Sequence, residues 1–261
     1  MYHEAPFLER IELAARDGFV AVECQFPYEV ATSVLAQSLR LSGVRLQLLN
    51  TPPGDFALGD RGLAVDPARR EEFRAAVRKS ISYAQATQCP NIHVMAGIPA
   101  AQYDAARVRD IYIQNLAWAA AQCGAEGITA LIEPINTRDI PGYYLNHQAK
   151  AHAIVRAIGS PHLKVQMDLY HLQIVEGDIA MHVREFLPSG QVGHIQIAGV
   201  PQRQEPDAGE INFPYLYALI DSLGYEGWIG CEYFPARNKE PGGTRAGLSW
   251  LAHYQAINTP R

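Results

Sequence analysis

Ile-Thr-Ala-Leu-Ile-Glu, residues 128–133, reads as a buried strand that ends in a charge. Its apolar and β-branched run suits a strand covered on both faces, and Glu133 stands where that strand hands over to a loop. The ending recurs. Leu-Lys-Val-Gln-Met-Asp (163–168) closes on Asp168, His-Ile-Gln-Ile-Ala (194–198) carries Gln196, and Trp-Ile-Gly-Cys-Glu (228–232) closes on Glu232. Successive ends lie 28 to 36 residues apart, the length of one strand and helix in an α/β barrel. In such a barrel the C-terminal strand ends converge on one mouth, where catalysis sits.

Outward from these runs the chain alternates regularly. Strands are expected near 20–26, 45–50, 91–97, 128–134, 163–168, 192–198 and 228–233. A helix at 5–16 opens the series, and others fill 29–42, 67–88, 104–124, 147–158, 178–187, 213–223 and 244–255. Gly18, Gly43, Gly127, Gly159 and Gly224 stand between a helix and the next strand, where a left-handed stop is common. Alternation of this kind argues for a parallel sheet. At 261 residues the chain fits one (β/α)₈ barrel of about 250 residues, so a single domain is expected over 1–261.

The net charge of −5 gives no general attraction to nucleic acid or to an anionic membrane. No apolar run reaches the roughly 18 residues of a membrane span. The first residues lack the basic-then-apolar pattern of a signal peptide. Cys24, Cys89, Cys123 and Cys231 are scattered, with no zinc-finger spacing. The expected setting is cytoplasmic, with free thiols.

Alternation along each strand sorts inward from outward side chains. Glu232 brings Gly230 inward, Glu133 brings Leu131, Asp168 brings Gln166, and Gln196 brings His194. Three carboxylates crowded at an apolar mouth cannot all stay ionised without a cation. Glu133, Asp168, Gln196 and Glu232 are therefore expected to hold a divalent metal. All-oxygen ligands favour Mg²⁺ or Mn²⁺ over zinc. The alternative is that each acid pairs separately with Lys or Arg. His171 follows Asp168 by three residues and shares the mouth, as a structural or a functional histidine. Arg203 lies in the long polar loop after Gln196 and either binds a substrate carboxylate bidentately or is solvated. Glu210 is expected to cap the next helix, and His93 to be a core histidine. Glu23 is a weaker candidate for a supporting contact. Gly-Asp-Arg-Gly at 59–62 stands alone, with no assigned part.

Leu-Ile-Glu-Pro-Ile-Asn, Gln-Met-Asp-Leu-Tyr-His, Gly-His-Ile-Gln-Ile-Ala-Gly, Pro-Asp-Ala-Gly-Glu-Ile-Asn and Gly-Trp-Ile-Gly-Cys-Glu-Tyr together resemble the hydroxypyruvate isomerase family of xylose-isomerase-like barrels. His-Val-Met-Ala-Gly (93–97) and Ile-Ala-Gly-Val-Pro (197–201) resemble its 2-oxo-tetronate isomerase branch. The resemblance implies a TIM barrel and an aldose–ketose type isomerisation of a short hydroxy-oxo acid. It implies Glu133 and Glu232 as the catalytic proton-transfer pair, His171 and Arg203 as substrate contacts, and a metal held by Glu133, Asp168, Gln196 and Glu232. A ketose epimerase or a non-catalytic acid-binding barrel are the alternatives. Relatives usually begin with a strand that this sequence lacks. An upstream start is then expected, or else reduced stability or help from a partner subunit in a homo-oligomer.

Overall fold

The computed structural model describes residues 1–237 and 239–251. Seven parallel strands form one sheet in sequence order, β1 (Ala21–Cys24), β2 (Arg45–Asn50), β3 (Asn91–His93), β4 (Thr129–Ile132), β5 (Leu163–Asp168), β6 (Val192–Ile197) and β7 (Ile229–Cys231). All seven lie inside the spans expected from sequence. β3 is the main departure, ending at His93 rather than residue 97. Beyond it Val94 still donates to Leu131, but Ala96 instead bridges to Gly62 in the loop after β2.

Helices cover the outside of the sheet: α1 (Phe7–Arg16), α2 (Thr32–Ser42), α3 (Arg70–Thr87), α4 (Ala105–Ala125), α5 (Gln148–Ile158), α6 (Leu169–Val175), α7 (Ile179–Phe186), α8 (Phe213–Ser222) and α9 (Gly243–Ala246). Gly43 and Gly159 end α2 and α5 in the left-handed conformation, at φ 69° and 66°. The α1 face expected from its spacing is the one used. Ile11 and Ala14 are buried, and Phe7, Leu8 and Ala15 pack against the core. Two apolar clusters fill the layer between helices and strands, one under α1 to α5 and one under α6 to α8. Part of the expected 244–255 helix lies outside the described residues. No helix among the described residues is long and apolar enough to cross a membrane. The four cysteines are free.

Among the described residues β1 and β7 are the two edges of the sheet. Side chains span the interval between them. Gln25, just past β1, donates to the Glu232 carboxylate just past β7. Glu23 reaches over Gly230, where any added Cβ would strike its carboxylate, to His194 and Gln196 on β6. The N-terminal segment is tied to α9 through Tyr2 N–H to Thr244 Oγ1 (2.9 Å) and Thr244 N–H to Glu4 (2.9 Å).

Candidate active site

The strand ends do converge. A cavity of about 1130 Å³ runs from the interval between β1 and β7, where Phe7, Val20 and Ile229 line it, to the C-terminal mouth, where Glu133, His171, Arg203 and Glu232 line it. Asp168 ends β5 and at the same time caps α6, a helix the sequence reading did not foresee. Its Oδ1 accepts the N–H groups of Tyr170 (2.7 Å) and His171 (3.3 Å), the usual task of an N-cap aspartate. That division of labour leaves Oδ2 buried without a hydrogen-bond partner, as is Glu133 Oε1. His171 Nε2 lies 3.8 Å from each of these oxygens.

Burial sets the protonation of this group. The Glu133 carboxyl is pushed well above the ordinary range, first by burial and then by repulsion from Glu232 and Asp168. Asp168 is pushed up to about 7, again by burial first, with the Arg203 guanidinium pulling the other way. Glu232 is raised by burial and held back by Arg203. His171 is driven well below its ordinary value by burial and by Arg203, so its ring is neutral. The Asn136 main-chain N–H points at Nδ1 (3.3 Å). The Asn136 side chain is fixed too, because its oxygen accepts from Arg138 N and Asp139 N, which turns its NH₂ to the same Nδ1 at 2.6 Å. Donors face both ring nitrogens, two at Nδ1 (2.6 and 3.3 Å) and the Arg203 guanidinium at Nε2 (3.4 Å). The closer pair makes Nδ1 the acceptor, which assigns the His171 proton to Nε2, the atom turned to the acids.

Arg203 stands among them at φ 55°, a conformation few non-glycine residues adopt. Its Nη2 is 3.2 Å from Glu232 Oε1, 3.9 Å from Asp168 Oδ2 and 3.4 Å from His171 Nε2. Nη1 is 3.7 Å from Asp139 Oδ2. Arg138 meanwhile donates to Pro201 O (3.0 Å) and Tyr170 OH (3.3 Å), tying the loop after β4 to the loop after β6.

Five of the six site residues expected from sequence thus meet around one point. Gln196 sits beside them in a polar chain that crosses the barrel. Its NH₂ donates to Glu23 Oε2 (2.7 Å), and its carbonyl accepts from Gln166 (2.5 Å). Glu23 also meets His194 Nε2 at 2.5 Å. Glu210 does not cap α8. It accepts from Gln173 (3.1 Å), and Asn212 takes the cap by accepting from Tyr215 N.

His93 is the residue the sequence reading placed wrongly. It is buried, but its Nδ1 lies 3.4 Å from Glu133 Oε2, on the cavity wall. Register held the signal. His93 pairs with Leu131, and neighbours in register on parallel strands share a face, so the inward Leu131 carries His93 inward with it.

Glu133, Asp168 and His171 offer three ligand atoms within 4.8 Å of one another. Two buried carboxylate oxygens without partners are what a hard cation needs, so the residues present fit a metal ion.

A family profile described as xylose isomerase-like TIM barrel matches residues 11–254. A 2-oxo-tetronate isomerase of Cupriavidus necator is 52% identical over 254 residues, covering 97% of this chain and 95% of that one. The hydroxypyruvate isomerase of Escherichia coli is 38% identical, covering 98% and 96%. A crystal structure from Brucella melitensis, described as an AP endonuclease of family 2, superposes with a TM-score of 0.92 at 43% identity, covering 97% and 95%. With the strand-end acids and the sheet order already in place, the chain belongs to the xylose isomerase-like TIM barrel family.

Proposed function

We propose that this chain isomerises a short hydroxy-oxo acid by moving a proton between adjacent carbons through an enediol. The observation that carries the reading is the pair of carboxyl groups on one cavity, Glu133 and Glu232, each raised by burial and each tied to a different partner set. In hydroxypyruvate a base removes a proton from C3, the electrons form the C2–C3 double bond of the enediol, and an acid returns a proton to C2. The hydroxyl proton passes from the C3 oxygen to the C2 oxygen, giving tartronate semialdehyde with atoms and charge conserved. Glu133 and Glu232 are assigned to the two transfers. The neutral His171 aims its Nε2–H at the developing enediolate oxygen, where a preorganised donor counts most. Arg203 holds Glu232 and brings positive charge to the same oxygens.

Glu133 and Asp168 are the groups assigned to a divalent metal, with Glu232 and Gln196 beside them. Two carboxylates support Mg²⁺ or Mn²⁺. When bound, such an ion supplies further positive charge beside the enediolate. His171 would join the ligands only by giving up its contact with Asn136, so it is kept as a substrate contact.

A second substrate is favoured by identity. The 52% relative is a 2-oxo-tetronate isomerase and the 38% relative a hydroxypyruvate isomerase, which supports the four-carbon acid, whose C2 and C3 undergo the same exchange. The net charge of −5 opposes a nucleic-acid substrate.

The test is turnover of both acids by wild type, Glu133→Gln and Glu232→Gln. Each substitution is expected to lower kcat by roughly 10²- to 10⁴-fold, the usual worth of one proton-transfer group, without unfolding the protein. Near-normal turnover in either variant defeats the assignment.

A further inference from the structure

A substrate of this class carries a carboxylate, and in this cavity Arg203 is already committed to carboxylates of the protein. Glu232, Asp168 and Asp139 all lie within 3.9 Å of its guanidinium. Arg138 is spent on Pro201 O, Tyr170 OH and Asp139. Arg10 lines the cavity from α1 rather than from a loop after a strand, and its Nε is spent on Ala5 O at 2.8 Å. Among the described residues that line the cavity, Arg61 is the guanidinium that stands on a loop after a strand, has no carboxylate partner and keeps its Nε free.

We infer that Arg61, in the Gly-Asp-Arg-Gly stretch at 59–62, binds the substrate carboxylate. The inference rests on the hydroxy-oxo acid reading above. Arg61 follows β2, so its loop leaves the same C-terminal mouth as Glu133, and it lines the same cavity. Nη1 is occupied by two main-chain carbonyls, Phe56 O at 3.1 Å and Asp60 O at 2.7 Å. The guanidinium lies over the Phe56 ring, 3.7 Å from its centroid. Among the described residues no carboxylate pairs with it. The adjacent acid, Asp60, is turned away to Arg69 (2.7 Å) and to Asp55 N–H (2.7 Å). Nε and Nη2 are therefore left as donors on one edge, the fork that matches a carboxylate.

The rest of the stretch holds that edge in place. Gly62 N–H donates to Pro53 O (2.9 Å), and Gly62 bridges to Ala96 beyond β3. At φ 125°, with an added Cβ only 2.5 Å from Met95 O, position 62 admits glycine alone. A cation fixed by stacking, by two carbonyls and by a pinned loop loses little freedom when it takes an anion, which is the advantage of preorganisation.

The test is calorimetric binding of D-glycerate, an unreactive hydroxy acid, to wild type, Arg61→Gln and Arg61→Lys, alongside KM and kcat for hydroxypyruvate and 2-oxo-tetronate. Loss of one charge-assisted contact is expected to weaken glycerate binding roughly 10- to 100-fold in Arg61→Gln. KM rises to match while kcat stays within about threefold, a split that a merely structural role would not give. Arg61→Lys keeps the charge without the fork and falls between. Should Arg61→Gln not fold, an Arg61→Lys protein weaker than wild type supports the assignment, and one equal to it overturns it. Binding within twofold of wild type in Arg61→Gln, or no glycerate binding by wild type, also overturns it. A wild type that turns over neither acid defeats the isomerase reading alone, and glycerate binding still decides Arg61.

Discussion

At the scale of single residues, the site depends on neighbours that fix tautomers and charges. Asn136 makes Nδ1 of His171 an acceptor and so puts the proton on Nε2. Asn136→Leu removes the 2.6 Å side-chain donor and leaves Nδ1 held only by the main-chain N–H at 3.3 Å. A 10- to 100-fold fall in kcat is expected, the usual cost of losing such a supporting contact, with little change in KM. The unpartnered oxygens of Glu133 and Asp168 lead to a second expectation. Mn²⁺ or Mg²⁺ should raise the melting temperature of wild type, as any ligand of the folded state does. The rise should vanish in Asp168→Asn. An unchanged melting temperature in wild type would remove these residues from metal binding.

The residues legible in the sequence were those at strand ends, where a charge interrupts an apolar run. Glu133, Asp168 and Glu232 carried that mark, and His171 and Arg203 were legible only through the loops that follow such ends. His93 carried no such mark, because an isolated histidine in a strand reads alike whether it faces core or cavity. Arg61 sits in a loop without periodicity, and only the loop's attachment to residues 95–97 shows where its side chain stands.

At the scale of elements, Asp168 was legible as the end of β5, but its second role as the cap of α6 was not. A strand end and an N-cap call for the same residue type, and the seven-residue helix that follows is too short for its pattern to stand out. β3 is short for a related reason. His-Val-Met-Ala-Gly is apolar enough to read as strand, yet its second half pairs with Gly62 of the β2 loop instead of continuing the sheet. The β1–β7 interval makes the clearest element-scale prediction. Gly230 has no side chain because Glu23 lies over it. Gly230→Ala drives Glu23 from His194 and Gln196, and overpacking of this kind costs about 1–3 kcal/mol, measurable by urea denaturation. Wild-type stability in that variant would show that the chain from Glu23 to Gln166 does not hold the barrel.

At the scale of the whole molecule, regular alternation of strand and helix made the barrel legible, because hydrophobic period and glycine stops agree along the chain. Buried polar pairs between helices were not legible, since they depend on which helices become neighbours. His152 on α5 is one of them. It stacks flat on Phe186 of α7, with ring centroids 4.0 Å apart, and burial draws it down to about 4 from 6.5. The unfolded chain therefore takes up this proton first. Stability is fully present above pH 6.5 and declines as pH falls from there toward 4, where the folded protein also protonates. Melting temperature should fall over this window more gently in His152→Gln than in wild type, and equal slopes would exclude His152 as a source of acid lability.

The most direct test of the enediol account is proton NMR of the purified protein with Mg²⁺ or Mn²⁺ in D₂O, with hydroxypyruvate and then with 2-oxo-tetronate. The account predicts conversion of at least one acid to its isomer, with solvent deuterium entering at C2 or C3, and loss of both signals in Glu133→Gln. A folded wild-type protein that neither converts nor exchanges either acid would contradict it.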